Sequence, residues 1–115
     1  MCCVMPWTVE TLNETVDAEL EELPSDMRAR FVHISHLIEE FGLERVREPN
    51  IKHLRGPLWE MRMKGKDGIA RAIYVTAVGR RVVVVRVFRK KAQKTPKREI
   101  ELAMKRAKEA GNEQG

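Results

Sequence analysis

The chain of 115 residues fits one domain of ordinary size, long enough to bury a modest core without disulfide support. Its 43% hydrophobic and 34% charged residues are typical of a globular protein and exclude a disordered one. No apolar run approaches a membrane span, and the first residues lack the pattern of a secretory signal. We therefore expect a single cytosolic domain over residues 1–115, ordered over about 7–110, with flexible ends at 1–5 and 111–115.

Cysteine usage gives no sign of a disulfide framework or a metal site. The two cysteines, Cys2 and Cys3, are adjacent, and an adjacent pair is a poor structural bridge. Histidine and acidic residues that could complete a metal site are missing from their sequence neighbourhood. We expect two free thiols, no bound metal and no cofactor.

The net charge of +5 hides a strong asymmetry along the chain. Residues 1–51 carry 4 Lys/Arg against 11 Asp/Glu, whereas residues 52–115 carry 18 against 6. Such segregation suggests a polyanionic partner, with nucleic acid the first candidate and an anionic membrane the second. The basic residues lie largely on strand-like segments rather than on a basic amphipathic helix, which disfavours the membrane.

The N-terminal half predicts a short strand followed by two helices. Residues 7–10 alternate between apolar and polar, as in a strand. The first helix has apolar residues at i, i+4 and i+7, with Asn13 as N-cap and Pro24 ending it. The second has Ser25 as N-cap, Gly42 just past its end, and one apolar stripe formed by Met27, Phe31, Ile34, Ile38 and Phe41. Together they predict an antiparallel helical hairpin.

The C-terminal half changes to a period of two. Residues 43–57 lack a clean period and predict a connection, after which residues 58–64, 69–77 and 82–88 predict three strands joined by short turns. A last helix is predicted with Thr95 as N-cap and Pro96 at its first position. The sequence thus predicts an α+β fold of order β-α-α-β-β-β-α. In it an antiparallel sheet of about four strands packs against the N-terminal helical hairpin, with a C-terminal helix.

The most informative segment is residues 86–99, where a buried strand runs into a cationic loop and then into a helix. Arg89, Lys90, Lys91 and Lys94 fall between a strand end and a helix N-terminus, where backbone N–H groups also favour phosphate. A solvated charge run is the alternative interpretation, and the excess of positive charge in this half of the chain argues against it.

Several stretches of the C-terminal half resemble a known family. They are residues 58–62 (LWEMR), 70–74 (ARAIY), 82–85 (VVVV) and 88–96 (FRKKAQKTP), with weaker support from residues 23–24 and 52–56. Over about residues 7–110 the pattern is similar to that of phage-derived and HigB-type toxins of the RelE superfamily. The resemblance implies an RNase-like fold, ribosome-associated cleavage of mRNA and a helix-turn-helix antitoxin as partner.

The implied chemistry can be compared with the residues present. Metal-free RNA cleavage needs a base for the 2′-OH, an acid for the departing 5′-oxygen and cations for the phosphorane. His33 and His36 lie on the predicted second helix and His53 in the connection, so packing or surface roles are the simpler interpretation of all three. Many related toxins carry a histidine at the position of Arg86, and its absence leaves proton transfer to lysine or to the ribosome.

We expect Arg62, Arg71 and Lys91 to form the catalytic core, because arginine suits bidentate phosphate contacts and a crowded lysine can exchange a proton. The further RNA-binding candidates are Lys64, Tyr74, Arg86, Arg89, Lys90 and Lys94. For Tyr74 a place in the core stays open as an alternative, and Glu60 is expected to pair with Arg62.

Three functions remain open at this point. The first is a toxin of a type II toxin–antitoxin system that acts as a ribosome-dependent mRNA endoribonuclease. The second is a ParE-like toxin that shares the fold but binds DNA gyrase without cleaving RNA. The third is a non-catalytic nucleic-acid-binding phage accessory protein. The cationic cluster at a strand end favours the first, because phosphate contacts require it.

Overall fold

In the computed structural model, residues 6–46, 51–90 and 94–110 are described. The helices of this part of the chain are α1 (Glu14–Glu21), α2 (Ser25–Phe41) and α3 (Lys97–Glu109), with a short 3-10 turn at Leu43–Arg45. Its strands are β1 (Thr8–Thr11), β2 (Ile51–Arg55), β3 (Leu58–Gly65), β4 (Gly68–Ala77) and β5 (Arg81–Lys90). No helix within these residues is long and apolar enough to cross a membrane.

The sheet has the order β1-β5-β4-β3-β2. The strands from β2 to β5 form an antiparallel meander, as the short turns between them predict, whereas β1 pairs with β5 in parallel. The α+β class and the helical hairpin are therefore confirmed. The predicted antiparallel sheet of about four strands is, within the described residues, a mixed sheet of five strands, because β1 is parallel to β5 and β2 is added at the edge.

The extra strand is β2, which falls inside the segment predicted to be a connection. It pairs with β3 at the edge of the sheet, and a register shift between His53 and Arg55 interrupts the pairing. Only Ile51 of this strand is buried. An edge strand with little burial and an irregular register has no regular alternation of apolar residues, so the sequence carries no period-two signal for it.

Two helix ends have the capping residues that the sequence predicts, and two others do not. Asn13 caps α1, accepting a hydrogen bond from the Val16 N–H at 3.1 Å, and Gly42 ends α2 with a φ of +92°. By contrast, Ser25 is the first residue of α2 and Pro24 holds the N-cap position. Thr95 precedes the Pro96 N-cap of α3 and uses its hydroxyl elsewhere, as described below.

Each face of the sheet is covered by a different helical element. The helical hairpin packs on one face, where Met27, Phe31, Ile34 and Ile38 are buried against apolar residues of β3, β4 and β5. Phe41, the last member of the predicted stripe, is instead 56% exposed. Helix α3 covers part of the opposite face through Ala103 and Ala107. The rest of that second face holds the polar side chains of β3 and β4.

Candidate functional site

Alternation along β3 separates its side chains onto the two faces of the sheet. Met61 and Met63 lie in the core beneath the helical hairpin, so Glu60 and Arg62 point to the opposite face. Arg62 pairs directly with Arg71 of β4 in the register of the two strands. The sheet therefore brings together two of the three residues expected to form the catalytic core.

Glu60 lies at the centre of this group. Its Oε2 atom accepts hydrogen bonds from Arg71 Nη1 at 2.7 Å and from Arg62 Nε at 3.3 Å. Like charges directly opposite each other on a sheet repel, and a shared carboxylate offsets that repulsion. Both Glu60 and Arg71 are almost completely buried, with 1% and 0% exposure. We call Glu60, Arg62, Arg71 and Thr95 the Glu60 cluster.

Thr95 attaches the start of α3 to the cluster. Its hydroxyl donates a hydrogen bond of 2.6 Å to Glu60 Oε1. The residue that the sequence predicts as a helix cap thus connects the segment before α3 to β3. Because Glu60 holds Thr95 with one oxygen and two arginines with the other, the cluster fixes three parts of the chain relative to one another.

A small pocket of about 200 Å³ opens beside the Glu60 cluster. Its polar lining comes from β2, β3 and the segment before α3, and comprises Lys52, His53, Glu60, Arg62, Lys94 and Thr95. Lys52 and Lys94 are exposed, while Arg62 is partly buried. We call it the cationic pocket, because three of these side chains carry positive charge.

Arg71 differs from Arg62 in its access to a ligand. Without solvent exposure it does not reach the cationic pocket, whose lining includes Arg62 but not Arg71 among the described residues. Its side chain instead holds Glu60. Lys91, the third member of the expected core, lies outside the described residues, and nothing is described for the side chain of Lys90, whose backbone ends β5 opposite Ile69.

Arg86 is tied to two acidic side chains of the fold. Its guanidinium contacts Glu99 of α3 at 2.6 Å and Glu19 of α1 at 2.8 Å, and it lies 5.7 Å from the centre of the Phe88 ring. The hydrogen bonds that Arg86 donates to Glu99, more than the charge of Glu19, raise the pKa of Arg86. This arginine joins α1, β5 and α3.

The remaining predicted RNA-binding residues are spread over the surface and the core. Tyr74 is buried beneath the helical hairpin, where burial raises the pKa of its hydroxyl, so the alternative of a core tyrosine describes its position. Arg89 lines a separate depression beside Glu19 and Glu22 of the first helix region. Lys64 is exposed near the end of β3, and Lys94 alone of these residues is among the lining of the cationic pocket.

The cationic pocket also contains three residues that the sequence did not predict to bind RNA: Lys52, His53 and Thr95. Lys52 pairs with Glu60 across β2 and β3, which puts it on the same face of the sheet. That placement depends on β2 being a strand, for which the sequence carries no regular pattern. The sequence does place Glu60, because period-two alternation puts Glu60 and Arg62 on one face of the strand and Met61 on the other.

The chemistry available to this pocket is that of an anion site with proton carriers. Arg62, Lys52 and Lys94 can neutralise a phosphate. The His53 Nε2–H donates to the Gly56 carbonyl at 2.9 Å, which leaves Nδ1 as the acceptor atom in a neutral ring. Within residues 6–46, 51–90 and 94–110, no three His, Cys, Asp or Glu side chains come together as possible metal ligands.

Comparison with protein families gives one match. The model of the family described as "Phage derived protein Gp49-like (DUF891)" matches residues 18–108, which run from α1 to the end of α3. A comparison with curated proteins finds no match.

Two solved structures are similar in fold. A chain of the toxin–antitoxin complex RelBE2 from Mycobacterium tuberculosis aligns with a TM-score of 0.51 and 22% identity, covering 78% of this chain and 98% of that one. A chain of the archaeal RelE–RelB complex from Pyrococcus horikoshii OT3 aligns with a TM-score of 0.55 and 19% identity, covering 78% and 100%. These likenesses confirm the expected RelE-like fold.

Proposed function

Since the chain belongs to the family of phage-derived Gp49-like proteins and has a RelE-like fold, we propose that it is the toxin of a type II toxin–antitoxin pair. Its activity is that of a metal-independent endoribonuclease that cuts mRNA on the ribosome, in the cytoplasm. The observation that carries this proposal is the cationic pocket beside the Glu60 cluster, because it supplies positive charge and proton carriers on one open face of the sheet.

The pocket residues have distinct roles in the proposed reaction. Arg62 binds the phosphate, and Lys52 and Lys94 add the charge that stabilises the phosphorane. Arg71 acts as a positioning residue, because it holds the carboxylate that orients Arg62. The amines of Lys52, Lys94 and Lys91 are the candidates for accepting the 2′-OH proton and protonating the 5′-oxygen.

An antitoxin partner is supported by the two similar structures, which are the toxin–antitoxin complex RelBE2 and the archaeal RelE–RelB complex. We propose a helix-turn-helix antitoxin encoded beside this chain. An acidic or amphipathic segment of such a partner would complement the exposed cations of the C-terminal half.

The proposal is tested by inducible expression in a bacterium, with growth followed and mRNA 5′ ends mapped. We expect growth arrest and new 5′ ends within translated messages. Arg62→Ala should reduce cleavage at least about tenfold, as loss of a transition-state charge contact does. Arg81→Ala is the matched control, since Arg81 pairs with Glu10 on the surface and should leave cleavage unchanged. Lys91→Ala tests the remaining member of the expected core.

Other outcomes separate the alternatives. DNA damage signalling without mRNA fragments would indicate a gyrase-binding toxin of the ParE type. RNA binding without cleavage or growth arrest would indicate an accessory protein. If no helix-turn-helix frame adjoins the gene and expression is harmless, the toxin–antitoxin proposal is wrong.

A further inference from the structure

A second, larger pocket lies on the other face of the sheet. Its volume is about 650 Å³, within the range of small-ligand sites, and aromatic rings from four parts of the chain line it: Trp7, His53, Trp59 and Tyr74. We call it the aromatic pocket. It contains none of the Glu60 cluster among its described lining residues.

The aromatic pocket contains an accessible indole, that of Trp59, which lies against the His53 ring. Trp59 is 39% exposed, an unusual degree for a side chain that gains so much from burial. The His53 and Trp59 ring centres lie 4.7 Å apart at an angle of 54°, and the bond to the Gly56 carbonyl restrains the His53 ring. A planar ligand stacking on Trp59 would therefore meet a pre-ordered surface, with little loss of side-chain entropy.

The two pockets are neighbours around one edge strand. Lys52 and His53 line both of them. These two consecutive residues of β2 pair with Glu60 and Trp59 respectively, and successive residues of a strand point to opposite faces. Since β2 ends the sheet, a single-stranded ligand can pass around it from the cationic pocket into the aromatic pocket.

The aromatic lining of the pocket suits a planar ligand. Unpaired RNA bases present carbonyl and ring-nitrogen acceptors along their edges and a planar face for stacking.

We propose that the aromatic pocket binds an unpaired RNA base that adjoins the phosphate held in the cationic pocket. The inference rests on the proposed RNA function and extends the substrate site around β2. Trp59 supplies the stacking surface, and Lys52 contacts the intervening phosphate. Lys52 lines both pockets, so one cation serves the phosphate that connects the two sites, as a nucleotide chain requires.

The sequence makes a direct test possible, because Trp7 and Trp59 are its two tryptophans and both line this pocket. Trp7→Phe leaves Trp59 as the sole indole emitter. We expect an eight-nucleotide single-stranded RNA to quench its fluorescence at low salt. Trp59→Ala and Trp59→Phe lack the reporting indole, so their binding is followed by fluorescence anisotropy of the labelled RNA. Trp59→Ala should raise the Kd about tenfold, as loss of one base–aromatic stack does. Trp59→Phe keeps a stacking ring and should retain most of the affinity.

Phe41→Ala is the matched control, since Phe41 is an exposed aromatic residue on α2 outside the pocket lining. It should bind the same RNA like the wild type. An RNA lacking one base at the critical position should lose about the same factor as Trp59→Ala, and the two losses should not add. Circular dichroism of each variant confirms that it is folded.

The outcomes distinguish this inference from the function on which it rests. If Arg62→Ala weakens RNA binding and Trp59→Ala does not, the aromatic pocket proposal is wrong and the RNA function stands. If neither weakens binding, the proposed function also fails. If the antitoxin, and not RNA, quenches Trp59, the pocket is a protein interface and the inference is overturned.

Discussion

Glu60 and Arg71 form an ion pair of 2.7 Å between β3 and β4, and both side chains are shielded from solvent. Because Arg62 and Arg71 occupy directly paired positions, this carboxylate lies where two guanidinium groups meet. The same carboxylate also receives the Thr95 hydroxyl. One buried acidic residue therefore stabilises the fold and orients the arginine that borders the cationic pocket.

Removing Glu60 should destabilise the protein strongly. Glu60→Ala leaves the Arg71 guanidinium buried without its carboxylate, which costs about 3–5 kcal/mol in comparable buried pairs. Urea unfolding measures the loss. Glu10→Ala is the control, because its ion pair with Arg81 is exposed to solvent on both sides and should contribute little to stability. Equal losses for the two variants would mean that Arg71 finds another partner.

Replacing the whole pair should separate stability from function. In Glu60→Leu/Arg71→Met both buried charges disappear together, so the free energy of unfolding should recover most of what Glu60→Ala loses. Arg62 loses the carboxylate that orients it, and mRNA cleavage should fall to the level of Arg62→Ala. A double variant that is stable and still cleaves mRNA like the wild type would show that the Glu60 cluster is structural only.

The sequence predicted the elements whose periodicity comes from burial. The α2 stripe and the three central strands have one or two apolar faces packed in the core, and their patterns are regular. Strand β2 has one buried residue and an irregular register, so its existence follows from pairing with β3 rather than from its own composition. Lys52 could not be assigned to the site without it.

The charge asymmetry of the sequence arises partly from ion pairs between the acidic and basic halves of the chain. Part of it is used within the fold, since Glu19 of α1 contacts both Arg86 and Arg106 of the basic half, and Glu10 contacts Arg81. The Glu19 carboxylate also accepts the Val87 N–H at 3.0 Å. Sequence reasoning assigned all of the excess to a polyanionic partner, because ion pairs between distant segments leave no local pattern.

Arg86 should matter more for stability than for RNA binding. Arg86→Ala leaves the largely buried Glu99 carboxylate without this cation, whereas Glu19 keeps Arg106, and an unsatisfied buried polar group costs about 1–3 kcal/mol. The Kd for single-stranded RNA should change less than in Arg62→Ala, with both measured under conditions where each variant is folded. A matching loss of RNA affinity would instead make Arg86 a direct RNA contact.

Acid stability should depend on Asp26. Its carboxylate accepts the Lys66 N–H at 2.7 Å, and this backbone hydrogen bond lowers the pKa of Asp26. Because the pKa of Asp26 is lower in the folded state than in the unfolded state, its carboxylate stabilises the protein at pH values above the unfolded-state pKa. That stability is lost as the pH falls through the lowered, folded-state pKa. In urea unfolding at a series of acidic pH values, Asp26→Asn should flatten this loss while keeping an acceptor for Lys66. Identical pH profiles for the two proteins would contradict the assignment.

Gly65 should resist substitution because α2 begins against the end of β3. A Cβ atom at this position would lie 2.7 Å from Met27 Cγ and 2.9 Å from Asp26 Oδ2. Gly65→Ala should therefore cost about 1–3 kcal/mol through overpacking, visible as a lower urea midpoint. Gly56→Asn is the control, since Gly56 has a φ of +52° with nothing within 4 Å of a Cβ, and asparagine tolerates that conformation. If Gly65→Ala is as stable as Gly56→Asn, the flexible Met27 side chain yields, and the close approach of α2 to β3 is not a constraint.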